Sequence, residues 1–134
     1  MNLPSQTQAA ALARYGAVKV TTANPGNLLV MLYDGLLRFL REARAAIEKK
    51  ERSRAGERMS RANAIIVHLV ETLDPSHSPD LCARLQPLYL FWMAHLLRAN
   101  IDQDTTKLDE LIGMVLPLRD AWAKAVAEVN GAKR

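Results

Sequence analysis

Four stretches of helical periodicity, parted by short breaks, leave this chain little choice of fold, since no segment shows strand alternation over any length. The first stretch follows Asn24-Pro25, a capping residue and then a residue suited to the first helical position. It predicts a helix from Pro25 to about Lys50, roughly 40 Å long. Gly56 reads as the junction. A second helix is expected from about Glu57 to Leu73, stopped by "DPSHSP" at Asp74–Pro79. A third starts at Ser78-Pro79 and reaches about Ile101, with Pro87 expected to kink it or split off its first turn. A fourth runs from about Asp104 to Asn130, interrupted at Pro117, with Gly131 past its end. The fold class is therefore all-α, an antiparallel four-helix bundle over residues 23–134. Residues 1–22 read as a mobile N-terminal arm with room for a short helix around Ala9–Tyr15.

A chain of 134 residues is long enough for one domain with a sizeable core. No apolar run is long enough to span a membrane, and the N-terminus lacks the basic start and compact apolar core of a signal peptide. The single Cys82 rules out an internal disulfide, reads as a small buried filler, and fits a cytoplasmic protein. The net charge of +4 is mild and concentrated in "KKERSRAGERMSR" at Lys49–Arg61. No aromatic residue interleaves with those charges, which argues against a nucleic-acid surface and for a solvated junction.

A bundle helix needs an apolar stripe a little over about 100° wide, and two of the four exceed it. From Leu28 to Leu40, ten of thirteen residues are apolar. Leu29, Leu32, Leu36, Leu40 and Ile47 make the central stripe. Tyr33, Leu37 and Val30 widen it on one side, and Leu28, Met31 and Phe39 on the other. Gly35 lies on that second flank, where a missing side chain lets another backbone approach. On this reading Gly35→Leu leaves the helix formed and blocks docking. The third helix carries one stripe of Leu81, Leu85, Leu88, Trp92 and Leu96, and a second of Leu90, Met93, Leu97 and Ile101. The second and fourth helices show single clean faces, with His68 pointing away from the former and Trp122 inside the latter. In an up-down bundle the first and third helices are diagonal, so the surplus lies in two places. That suits a partner wrapped around the bundle, or association of the chain with itself as a homodimer.

Catalytic chemistry is missing. One Cys and three scattered His give no zinc spacing, and no Glu-x-x-His pair suggests a di-iron site. No glycine-rich loop would cradle phosphate. His68 and His95 sit mid-helix without supporting constellations, His68 reading as a surface residue and His95 as partly buried. No enzyme activity, metal or cofactor is expected. Arg119 falls inside the apolar stripe of the fourth helix; it either pairs with Asp34 or, the simpler reading, snorkels to water near the bundle end.

The segment "ARYGAVKVTTANPGNLLVMLYDGLLRFLREARAAI" resembles the opening of the flagellin export chaperones, the FliS family. Tyr15, Val20, Thr22, Ala23, Pro25, Leu28, Met31, Leu32, Tyr33, Asp34 and Gly35 match the family pattern, with Asn24 where serine is usual. "RANAIIVHLVETLD", "LYLFWMAHLLRANI" and "LRDAW" resemble later family segments in the right order, so the resemblance runs from Ala13 to Trp122. Two departures are the glycine-free loop "DPSHSPD" and a heavier Phe91-Trp92-Met93 cluster. The resemblance implies a cytoplasmic, ATP-independent chaperone that binds the disordered C-terminal segment of flagellin. It would prevent premature polymerisation and deliver its client to the flagellar type III export gate. It also implies that the client wraps the bundle as short helices in apolar grooves, and that the chain's own arm can fill a groove when flagellin is absent. The residues expected to carry partner binding are Leu28, Met31, Tyr33, Gly35, Leu37, Phe39, Leu90, Met93 and Leu97, with Tyr15 and Val20 as the self-plug. Asn24, Pro25, Asp34, Arg119 and Trp122 are expected to be structural. The alternative from a different class is a non-catalytic regulatory or dimerisation bundle.

Overall fold

The computed structural model describes residues 25–132 and places four α-helices in them: α1 (Pro25–Glu48), α2 (Arg52–Glu71), α3 (Pro79–Asp102) and α4 (Thr105–Ala132). The arm, with Tyr15, Val20 and the cap Asn24, lies outside the described residues. α1 packs against α2 and α4, and α3 packs against the same two, so α1 and α3 lie across the diagonal as expected.

Tight turns close the bundle, and two of them use one device. At the end of α1, Lys50 adopts a left-handed φ of 59°, its N–H donates to the Ile47 carbonyl at 2.9 Å, and the Glu51 N–H donates to the Ala46 carbonyl at 2.9 Å. At the end of α3, Gln103 has φ 50°, and the Asp104 N–H donates to the Ala99 carbonyl at 3.0 Å. Both are Schellman stops made without glycine. Asp104 then caps α4, its carboxylate accepting from the Thr106 N–H at 2.8 Å. The break expected at Gly56 is thus corrected. The chain turns six residues earlier, and Gly56 lies inside α2. Neither Pro87 nor Pro117 breaks its helix. Each removes one hydrogen bond to the carbonyl four residues back, at Ala83 and Gly113, and both those residues are exposed to water. The helix past Asn130 also continues through Gly131.

The core takes one stripe from each helix. Leu32, Leu36 and Leu40 of α1 meet Met59, Ile66 and Leu69 of α2, Leu85 and Leu96 of α3, and Leu108, Leu111 and Val115 of α4. At its centre the two diagonal helices touch through aromatic side chains. The Tyr33 and Tyr89 hydroxyls are hydrogen-bonded at 2.7 Å. Trp92 stands edge-on to Tyr33 with ring centroids 6.1 Å apart, and lies 5.3 Å from Tyr89. Burial raises both phenol pKa values, so both hydroxyls stay protonated at neutral pH.

Two ion pairs set the register of α1 against α4. Arg119 Nε donates to Asp34 Oδ1 at 2.7 Å, and Arg44 Nη2 donates to Asp109 Oδ2 at 3.1 Å. The pairs are ten residues apart on each helix, as antiparallel neighbours require. The snorkelling expected of Arg119 is corrected: its head is partly exposed but held by Asp34, because α1 presents that carboxylate at the matching height. His68 is corrected too. It is 4% exposed, because every residue from Ile65 to Val70 is buried or partly buried and α2 has no free face there. Burial lowers the His68 pKa, and the charge on Glu71 only partly opposes this.

Two stability predictions follow from this core. Tyr33→Phe and Tyr89→Phe each strand a buried hydroxyl, which costs about 1–3 kcal/mol. The double variant should lose less than the sum in urea unfolding; additive losses would show that the hydroxyls act separately. His68 has a folded pKa below its unfolded value of about 6.5, so the unfolded chain binds more protons below that pH. Its contribution to stability is complete above the unfolded pKa and falls as pH drops beneath it. The melting temperature should therefore fall on acidification across this window, and His68→Leu should shrink the fall. An equal fall in both chains would contradict the assignment.

Candidate functional site

The helices divide the nine expected partner-binding residues into three groups. Tyr33 and Leu37 are buried in the core and are corrected to structural residues. The reason is geometric: α1 faces α2 and α4 on its sides and α3 across the diagonal, so it needs a wider apolar arc than one stripe. Gly35 is corrected as well. A Cβ built on it would lie 3.2 Å from Ile65 Cδ1, so the missing side chain admits α2 rather than an outside backbone. Phe39 is partly buried, with the Arg38 guanidinium 4.6 Å and the Arg58 guanidinium 5.8 Å from its ring centroid. Both lie over the ring in cation–π range, and Arg58 is itself paired with Glu42 at 3.2 Å. Leu28 and Met31 are partly buried, near the start of α1.

The α3 residues are different. Leu90 is 50% exposed and Leu97 60%, with Phe91 at 49% and Ile101 at 62%. Met93 is partly buried and faces a groove of about 410 Å³ between α2 and α3. Met59, Ala94, Leu96 and Leu97 line it with Met93 as apolar groups, and Ser60, Asn63 and Asn100 as polar ones. A second hollow of about 320 Å³ lies between the start of α1 and the last turns of α4, walled by Leu29, Trp122, Val126 and Val129. Pro25 and Gly26, the first two described residues, also line it. Trp122, expected to be structural only, therefore also lines this hollow.

Among the described residues no charged side chain lines either hollow. Among the described residues no cluster of three His, Cys, Asp or Glu could hold a metal ion, and no helix is long and apolar enough to cross a membrane. What these surfaces can do is bury apolar side chains. Each Leu- or Phe-sized group fully buried is worth about 1.5–3 kcal/mol. Met59 and Met93, unbranched and polarisable, line the larger groove and adapt to irregular guests. Ala94 was not singled out by the apolar pattern because it is small. Its signal lay in its place four residues after Leu90 and three before Leu97.

The Gly35 contact gives a direct test. Gly35→Leu should force α1 and α2 apart and destabilise the fold by about 1–3 kcal/mol. Adding Ile65→Ala should recover much of that loss in thermal melts; no recovery would show that Ile65 is not the obstacle.

The sequence and the four-helix fold both match known proteins. The family model described as flagellar protein FliS matches residues 7–129. The flagellar secretion chaperone FliS of Bacillus subtilis is 39% identical over 112 residues, covering 84% of this chain and 83% of the relative. The flagellar secretion chaperone FliSB of Pseudomonas aeruginosa is 35% identical over 104 residues, covering 78% and 82% respectively. A bacterial flagellar chaperone of known crystal structure superposes with a TM-score of 0.74 at 18% identity, over 90% of this chain and 98% of that one, and shows the shared fold. By its matched residues and by these relatives, the chain belongs to the FliS family of flagellar proteins.

Proposed function

We propose that this chain is a cytoplasmic flagellar secretion chaperone that holds the disordered C-terminal segment of flagellin and hands it to the flagellar type III export gate. The relatives' shared role as flagellar secretion chaperones supports the class. The observation that carries the mechanism is the uncharged groove between α2 and α3, bordered by the exposed Leu90 and Leu97. A disordered guest loses ordering entropy on binding and needs extended apolar contact to offset it. An amphipathic helix laid into this groove would bury its anchors against Met59, Met93 and Leu97. The hollow beside Leu29, Trp122 and Val126 would take a second part of the same guest, so that one segment reaches around the bundle. Leu28 and Met31 stand near that end of α1. Tyr15 and Val20 of the arm are proposed to occupy a groove in the unloaded chain.

A peptide of the flagellin C-terminal segment should bind one to one and gain helicity by circular dichroism. Leu97→Lys should weaken binding at least about tenfold, equivalent to 1.4 kcal/mol, while leaving the melting temperature close to that of the parent chain. Deleting residues 1–17 should tighten binding. Unchanged affinity in Leu97→Lys would remove the α2–α3 groove from the proposal.

A further inference from the structure

Charge is spread along the bundle as unevenly as apolar surface. Around the α1–α2 turn, Arg41, Lys49, Lys50, Arg52 and Arg54 are all exposed, and none of them forms an ion pair among the described residues. The acids nearby are engaged elsewhere: Glu42 with Arg58, Glu48 with Arg44, and Glu57 with Arg58 and Arg61, which leaves Glu51. Residues 1–24 and 133–134 contain no Asp or Glu, so no side chain outside the described residues neutralises the turn either. The acids of the neighbouring α3–α4 turn are largely taken up, Asp104 by Lys107 and Asp109 by Arg44, with Asp102 left over. The opposite end of the bundle has the reverse sign. Between Arg61 and Arg84 the chain has no Lys or Arg, and it places Glu71, Asp74 and Asp80 around the α2–α3 turn.

This placement works against the helix that carries it. A helix N-terminus bears partial positive charge, so cations are unfavourable there and favourable at the other end. α2 nevertheless begins with Arg52 and Arg54, has no acid in its first turn, and takes no side-chain cap from Glu51. It ends on Glu71. A local pattern that opposes its own helix is expected where function, rather than stability, sets the residues.

We infer that the α1–α2 turn docks on an anionic lipid surface, with the acidic α2–α3 turn directed away from it. Charge complementarity identifies the partner, and the rest of the surface narrows it. The exposed large hydrophobic residues among the described ones all belong to α3 and α4, so the turn offers no apolar anchor for a protein segment. No aromatic residue lies between Arg41 and Arg61 to stack on a base. Cations projecting from one turn and the two helix ends beside it recognise negative charge rather than shape, and the headgroup phosphates of a bilayer supply that charge over a broad area. Each Lys or Arg held near such a surface adds attraction that fades within a screening length. The opposite sign at the far end orients the approach. Because α3 lies diagonally from α1, its exposed face stays clear of the surface.

Co-sedimentation of the full chain with phospholipid vesicles tests this. The chain should bind vesicles containing phosphatidylglycerol at about 0.1 M salt, where the screening length is about 10 Å, and leave them at about 1 M, where it is about 3 Å. It should not bind vesicles of phosphatidylcholine alone. The double variant Arg52→Glu/Arg54→Glu should bind at least about tenfold more weakly. It should melt at or above the temperature of the parent chain, since acids suit the start of α2, so lost binding would not be lost fold. Arg84→Glu/Lys124→Glu, exposed and towards the other end, should bind as the parent does. Vesicle binding indifferent to Arg52→Glu/Arg54→Glu, or equal on phosphatidylcholine, overturns the inference. So does binding to polyglutamate or transfer RNA without binding to vesicles, which would assign the turn to a protein or a nucleic acid. Flagellin C-terminal peptide should bind Arg52→Glu/Arg54→Glu as it binds the parent, so this inference and the chaperone proposal fail separately.

Discussion

The contact between Tyr33 and Tyr89, with Trp92 packed against both rings, decides which apolar residues this bundle has left to offer. It joins the two diagonal helices through the middle of the core, where both hydroxyls are out of water and each satisfies the other. Once Tyr89 and Trp92 point inward, the helical period throws Leu90, Leu97 and Ile101 onto the far side of α3. Once Tyr33 is committed, Leu36, Leu37 and Leu40 follow it inside. The unequal surplus is therefore a consequence of core geometry: α1 spends most of its apolar arc on three neighbours, and α3 keeps a stripe outside.

The polar contacts hold this arrangement in register and contribute little else. Asp34–Arg119 and Arg44–Asp109 sit at matched heights along α1 and α4, both partly exposed, where solvent screens them. They choose one sliding position among several that apolar packing would tolerate. The αL stops at Lys50 and Gln103 do the same for the turns by ending α1 and α3 at fixed residues. Among the described residues the hollows hold no charged side chain, which suits surfaces that bury apolar side chains.

Much of this was legible in the sequence, for reasons that differ by residue. Pro25 and Pro79 announce helix starts because proline at the first helical position sacrifices no hydrogen bond. The α3 surplus was legible because four large apolar residues cannot share one face with Leu85, Trp92 and Leu96. The stop at Lys50 was hidden, because a lysine carries no composition signal for a left-handed backbone and Gly56 drew the boundary instead. Pro87 and Pro117 misled because a proline's effect depends on whether the stranded carbonyl can reach water, which is a tertiary fact. Tyr33, Leu37 and Gly35 misled for another reason: periodicity measures the width of an apolar arc but not how many neighbours it must satisfy. His68 shows the same limit on α2, and the Asp34–Arg119 pair was nameable only as one of two alternatives until the register was known.

The central claim is that a guest segment orders itself on apolar surface that the core leaves over. Backbone amide spectra of the isotope-labelled chain, recorded with and without unlabelled flagellin C-terminal peptide, test it most directly. The account predicts perturbations gathered along the α2–α3 groove around Met59, Met93 and Leu97, and around Trp122 and Val126, with the amides near Tyr89 little changed. Perturbations confined to the α1–α2 turn near Lys49 and Arg52, or none at saturating peptide, would contradict it.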